Sequence, residues 1–225
     1  MSQKIIFING SPRPEKESCS KKMIHYFTKE LESDFSSITD VNVLKLYHTH
    51  SFDAHFKEAL TSNVLVIVAP LYVDSFPSSV LDYLYHFESF VKAHPELITH
   101  PLKIYGFVNC GFLGGYQNHL ALDILEHFSN RLGFNWCGGL GVGSGAMLGM
   151  TLSVPREAKM QRPIYKGLDC FVNAIKTQSP IPSQDKQLLV TQDYSFYFFM
   201  FSLNLNWLAQ SGFKFISIYN KPYQK

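Results

Sequence analysis

The run Val64-Leu65-Val66-Ile67-Val68 is apolar at every position, with no alternation between apolar and polar side chains. Successive residues of a strand face opposite sides, so a strand of this composition must be covered on both faces. That points to a parallel sheet held between two layers of helices and excludes a sheet with one wet face. Strand-like runs also occur at 4–8, 41–46, 103–108 and 136–142, and the central one extends over 64–69. Helical periodicities fall between most of them, at 20–32, 54–61, 78–91 and 119–132, the last with Gly133 as its stop. Five strands separated by helices predict an open parallel α/β sheet.

In such a sheet ligands bind beyond the carboxyl ends of the strands, where strand order reverses. The loops after the first, third and fourth strands therefore matter most. The first reads Asn9-Gly10-Ser11-Pro12-Arg13, continues through Ser18-Cys19-Ser20 and opens a helix. Gly10 permits a sharp turn and close backbone approach, Pro12 stiffens the loop, and Ser11, Ser18 and Ser20 offer hydroxyls. Arg13 adds a planar, permanently charged fork, and the helix N-terminus favours an anion. Taken alone, the loop fits two readings, a phosphate cradle or a plain turn with Ser18 or Ser20 as helix N-cap and Arg13 in solvent. The other two loops read Pro70-Leu71-Tyr72-Val73-Asp74-Ser75-Phe76-Pro77 and Asn109-Cys110-Gly111-Phe112-Leu113-Gly114-Gly115-Tyr116.

In this order the three loops resemble those of the flavodoxin-like NAD(P)H-dependent FMN reductases and the related quinone reductases, over roughly the first two-thirds of the chain. The resemblance implies a flavodoxin-like three-layer fold, with a five-stranded parallel sheet in order 2-1-3-4-5. Residues 1–150 would form the FMN-binding domain, and 151–225 a helical C-terminal extension packed on it or at a dimer interface. It also implies FMN as cofactor. Ser11, Arg13, Ser18, Cys19 and Ser20 would surround its phosphate, with Cys19 standing where relatives often carry Asn and contributing its backbone N–H. Pro70, Leu71, Tyr72 and Val73 would line one edge of the isoalloxazine, and Asn109, Cys110, Gly111 and Phe112 the other side.

The activity implied is FMN-dependent NAD(P)H oxidoreduction. NADH or NADPH, as co-substrate, passes hydride to flavin N5, and a quinone, flavin or similar small acceptor takes it up in a second, ping-pong half-reaction. No side chain is required as a catalytic acid, base or nucleophile. A homodimer is expected. A non-enzymatic flavin module for electron transfer or redox sensing is the alternative, although a flavodoxin-type carrier is usually strongly acidic and this chain has a formal charge of +2.

The scattered basic residues behind that charge give no electrostatic footprint for nucleic acid. Cys19, Cys110, Cys137 and Cys170 form neither a CxxC pair nor a compact cluster, so the sequence predicts no disulfide framework and no iron–sulfur centre. No basic-then-apolar leader precedes Ile5, which reads as cytoplasmic. His48, His50 and His55 lie close together without acidic or thiolate partners and are expected to be solvent-exposed, with no metal. Cys110 has no positive neighbour in sequence and is expected to be a packed residue that contributes backbone. The stretch Gly141-Val142-Gly143-Ser144-Gly145-Ala146 matches Gly-x-Gly-x-x-Ala, but no clear helix or later acidic residue completes a dinucleotide fingerprint; a loop beside the flavin is the better reading.

Beyond Gly149 the pattern changes. Residues 155–177 read as a helix and 179–183, Ser-Pro-Ile-Pro-Ser, as a linker. An aromatic run from Tyr194 to Leu208 follows, with no formal charge between Asp193 and Lys214. Its length approaches a membrane span, but Asn204, Asn206, Gln210 and Ser211 would be costly in lipid, so no stable membrane insertion is expected. A docked helix or a dimer element is the reading.

Overall fold

A computed structural model describes residues 3–13, 18–145, 148, 154–193 and 195–210. The chain divides into two compact units, Met1–Gln192 and Asp193–Lys225.

In the first unit the described elements run β1 (Lys4–Asn9), α1 (Cys19–Leu31), β2 (Ser37–Asn42), α2 (Val43–Thr49), α3 (Phe52–Leu60), β3 (Val64–Pro70), α4 (Ser78–Ala93), β4 (Lys103–Asn109), α5 (His119–Arg131), β5 (Asn135–Val142), α6 (Arg162–Lys176) and β6 (Gln187–Val190). Every strand pair is parallel, in the order β2-β1-β3-β4-β5-β6. The order expected for five strands is found, with a sixth added beside β5.

The central strand behaves as its composition requires. Leu65, Ile67 and Ala69 face the core shared with α2, α3, α4 and α5, and Val64, Val66 and Val68 face the core shared with α1 and α6. Phe27 of α1 anchors the second core, stacked on Phe7 at 6.1 Å and edge-on to Phe107 at 5.4 Å. Such ring pairs add about 0.5–1.5 kcal/mol beyond the area they bury.

Four expectations are corrected. The second strand is Ser37–Asn42, and the residues after it form a helix rather than continuing to Leu46. The cause is Asn42, whose Oδ1 accepts from the N–H groups of Leu44 at 2.9 Å and Lys45 at 3.3 Å and so caps a new helix. The helix expected over 155–177 begins at Arg162, after a short 3-10 turn at Lys159–Gln161. The stretch 179–183 is no free linker: Ile181 is buried, its N–H bonds to the Cys137 carbonyl at 2.7 Å, and Tyr105 Oη donates to the Ser179 carbonyl at 2.9 Å. These bonds steer the chain along β5 and into β6. Lastly, His48 and His50 are exposed as expected, but His55 is buried, because the phase of α3 turns His55, Phe56, Ala59 and Leu60 inward together. Its Nε2 lies 3.0 Å from Tyr83 Oη, and burial holds its pKa down at about 4.

The second unit contains one described helix, α7 (Phe196–Gln210), in which Ser195 Oγ accepts from the Phe198 N–H at 3.2 Å. Its sequence is apolar on nearly every side. Among the described residues no helix is long and apolar enough to cross a membrane.

Candidate functional site

Because all six strands are parallel, the loops after β1, β3, β4 and β5 emerge along one edge of the sheet. The three loops picked out in the sequence are therefore brought together, and the glycine stretch after β5 joins them.

The first loop is folded by its own side chains. Asn9 Oδ1 accepts from the Ser11 N–H at 3.1 Å, and Ser11 Oγ accepts from the Arg13 N–H at 3.3 Å, two successive side-chain turns. The Gly10 N–H continues the β1–β3 ladder to the Val68 carbonyl at 2.9 Å. Ser18 is the N-cap of α1, accepting from the Lys21 N–H at 3.2 Å. The capping role that the sequence left open thus falls to Ser18. Ser20 lies in the first turn behind it, buried, and its Oγ has no partner among the described residues. Arg13 is exposed. The Cys19 thiol is pushed up to about 11 by burial, against the pull of Lys22 and Arg13, so it stays protonated and offers the loop only its backbone N–H.

The loop after β3 begins with Pro70 opposite Asn109, and the Leu71 N–H bonds to the Asn109 carbonyl at 2.8 Å. Tyr72 and Ser75 then exchange backbone bonds of 2.7 and 3.1 Å around Val73 and Asp74, both in the left-handed region with φ of 49° and 57°. Val73 is 98% exposed at the tip of this turn and Tyr72 is half-exposed. A β-branched residue at positive φ is a true backbone outlier, the kind of strain that collects at ligand sites.

The loop after β4 is held from behind. Cys110 is buried, with its Sγ within 3.6 Å of the Phe112 carbonyl and 3.5 Å of the Gly114 carbonyl, and the Asn118 amide donates to it at 3.6 Å. Burial raises its pKa, so it packs as the sequence predicts. The Gly115 N–H bonds to Thr191 Oγ1 at 3.0 Å, and a Cβ on Gly115 would lie 2.2 Å from the Val190 carbonyl oxygen. The added strand β6 therefore braces this loop. Ahead of the brace, Gly111 has open space where a side chain would be, and Phe112 is 60% exposed.

After β5, Gly145 packs on Asn109, its N–H bonds to the Cys110 carbonyl at 2.7 Å, and the Gly143 N–H bonds to the Val190 carbonyl at 3.0 Å. Ser144 is fully buried at φ 57°, and its Oγ has no partner among the described residues. Ala146, the end of the glycine pattern, lies outside the described residues, as do 14–17 and 211–225.

Buried polar atoms normally find partners, so each orphan calls for a water, an ion, a ligand or another group to satisfy it. Among the described residues, Asn9 Nδ2, Ser20 Oγ, Asn109 Oδ1, Asn118 Oδ1, Ser144 Oγ and Gln192 Nε2 are orphaned along this one edge; the others are Tyr26 Oη, Trp136 Nε1 and Gln161 Oε1. Asn9 and Ser144 stand in the loops that the sequence picks out, but not among the residues expected to contact the cofactor. Asn9 is a polar residue closing an apolar strand and Ser144 a hydroxyl within a glycine run, and neither pattern alone reveals a buried, unpaired group. No group of three or more His, Cys, Asp or Glu among the described residues is placed to hold a metal ion.

The parallel order, the two helix layers and the edge of loops define a flavodoxin-like fold. Solved structures with this fold include an NADH:FMN oxidoreductase in its apo form (14% identity, TM-score 0.57, 83% of this chain and 95% of that chain). An NADPH-quinone reductase from P. pentosaceus matches at 14% identity and TM-score 0.54, over 80% of this chain and 99% of that one. An FMN-dependent NADH-azoreductase from Bacillus anthracis, solved with FMN, matches at 16% identity and TM-score 0.52, over 78% and 98%. No protein-family model matches the chain, and no curated protein matches it.

Proposed function

We propose that this chain is an FMN-dependent NAD(P)H oxidoreductase that reduces a quinone, free flavin or similar small acceptor. The observation that carries the reading is the set of orphaned buried groups along the carboxyl edge, set among three loops whose residue types suit the parts of FMN. Hydroxyls of Ser11 and Ser20, the first N–H groups of α1 at Cys19 and Ser20, and the Arg13 guanidinium suit a phosphate. Ser18, already the helix cap, contributes by fixing those N–H groups in place. Pro70, Leu71, Tyr72 and Val73 offer a flat, partly exposed wall on one side of a ring system. Asn109, Cys110, Gly111 and Phe112 stand on the other, with Asn109 Oδ1 and Ser144 Oγ free to bond a polar ring edge.

Bound there, FMN would supply the hydride-transfer chemistry between a nicotinamide and the acceptor. The protein's part is to anchor the phosphate, orient the ring between the two loops and limit water with Tyr72 and Phe112. The solved proteins of this fold named above as FMN-dependent or NAD(P)H-using support the reading by analogy of fold.

The test is direct. Protein incubated with FMN and desalted should keep flavin absorbance, and anaerobic NADH or NADPH should bleach it rapidly. Absence of bound flavin sinks the proposal; bound flavin that neither nucleotide reduces leaves a flavin module in its place.

A further inference from the structure

We propose that Asn9 is a phosphate-binding residue whose side-chain N–H groups select a phosphomonoester, given the FMN reading above, on which this rests. Asn9 closes β1 between Asn42 of β2 and Val68 of β3, and it is 1% exposed. Its Oδ1 accepts from the Ser11 N–H at 3.1 Å. Because a backbone N–H can only donate, that bond fixes which end of the amide is oxygen and turns Nδ2 the other way. Nδ2 is buried and has no partner among the described residues. The turn itself does not require an amide. An aspartate oxygen accepts such a bond as well, and two residues on a serine does so, Ser11 Oγ accepting from the Arg13 N–H. What asparagine adds over either is a pair of amide donors.

Strand and helix phase place those donors. Ile5 and Phe7 face the core shared with α1, and alternation puts Asn9 on the same face. Phe7 stacks on Phe27 of α1. From that contact Asn9 lies about 6.6 Å further along β1, while Ser20, on the same buried side of α1 as Phe27, lies about 10.5 Å toward the helix N-terminus. Asn9 Nδ2 and Ser20 Oγ are therefore two orphans at one end of the β1–α1 interface, beneath the first loop, and they do not bond each other. The same loop supplies the first N–H groups of α1 at Cys19 and Ser20 and the Arg13 guanidinium, and the first turn of α1 holds no acidic residue. A phosphomonoester dianion, an acceptor at every terminal oxygen, answers such a set of donors. A neutral hydroxyl terminus does not.

The experiment is calorimetric titration of the full chain with FMN and with riboflavin, for the parent, Asn9→Asp and Asn9→Ser. The parent should bind FMN far more tightly than riboflavin. Asn9→Asp keeps an acceptor for the turn but sets a carboxylate toward the phosphate, so FMN affinity should fall roughly 100-fold with riboflavin affinity unchanged. Asn9→Ser keeps the turn without adding charge and should cost roughly tenfold for FMN alone. It carries the test if the aspartate variant does not fold. Unchanged FMN affinity in Asn9→Ser would show that water satisfies Nδ2 and would overturn the proposal. Equal losses for FMN and riboflavin would reduce Asn9 to a former of the turn and overturn it as well. A parent that binds neither flavin is a different failure: it removes the FMN reading itself, whatever the variants do, and this proposal with it.

Discussion

Gly10 and Val80 approach so closely that no side chain fits between them: a Cβ on Gly10 would lie 2.4 Å from Val80 Cγ2 and 2.9 Å from Ala69 Cβ. The glycine at the start of the candidate phosphate loop is thus set by packing of α4 against the end of β3. Gly10→Ala is expected to destabilise the fold by about 1–3 kcal/mol through overpacking. Urea unfolding measures it, and an unchanged midpoint would show that α4 yields to the extra methyl.

Ser18 and Ser20 look alike in sequence and should respond oppositely. Ser18→Ala removes the α1 cap and should cost about 1 kcal/mol of stability in the cofactor-free protein. Ser20→Ala removes a buried hydroxyl with no partner among the described residues, so apo stability should be unchanged or slightly higher while FMN affinity falls. Thermal melts with and without FMN separate the two effects. A Ser20→Ala variant that binds FMN as tightly as the parent would place the phosphate elsewhere.

Arg13→Ala should weaken FMN binding by about 1–3 kcal/mol if its guanidinium holds the phosphate. Its side chain is exposed, so apo stability should barely change. Flavin titration followed by fluorescence quenching gives both affinities.

His55 makes stability depend on pH. Its pKa of about 4 lies below the usual value of 6.5, so between those limits the unfolded chain binds a proton that the native protein does not. Stability therefore rises with pH across that window and is lost as pH falls through it, by up to about 3 kcal/mol. Unfolding free energies at pH 7.5, 5.5 and 4.5 should fall in that order, and His55→Gln should flatten the trend. Equal slopes for parent and variant would move the proton uptake to another group.

Val73 holds a left-handed conformation that asparagine adopts far more readily. Val73→Asn should raise stability by about 1 kcal/mol. If Val73 also lines the flavin wall, the same change should weaken FMN binding, a trade that calorimetry and flavin titration can measure together.

Burial on two faces is what made the sheet legible. β1, β3 and β4 sit between neighbours and helix layers, so their apolar runs are unbroken, and all three were placed from sequence within a residue or so. The edge strands β2 and β6 have one neighbour each and mixed exposure, so Ser37–Asn42 was shifted and Gln187–Val190 was not seen at all. The loops carrying the candidate site announced themselves through Gly, Pro and hydroxyl residues. The buried, unpaired state of Asn9 and Ser144 within those loops is not legible, because it is a property of packing, and the inward turn of His55 is not because helix phase, not residue type, decides it.

The fourth-to-sixth strand arrangement has a consequence for the protein's life in a crowded solution. β5 is eight residues long, with Gly138, Gly139 and Gly141 and few bulky groups, and an edge of that length left open would be a template for pairing with other chains. β6 occupies that edge from Gly139 to Val142 and leaves in its place a rim of only four residues. Short rims are poor templates. The strand least visible in the sequence thus replaces the longer edge of β5 with a four-residue one.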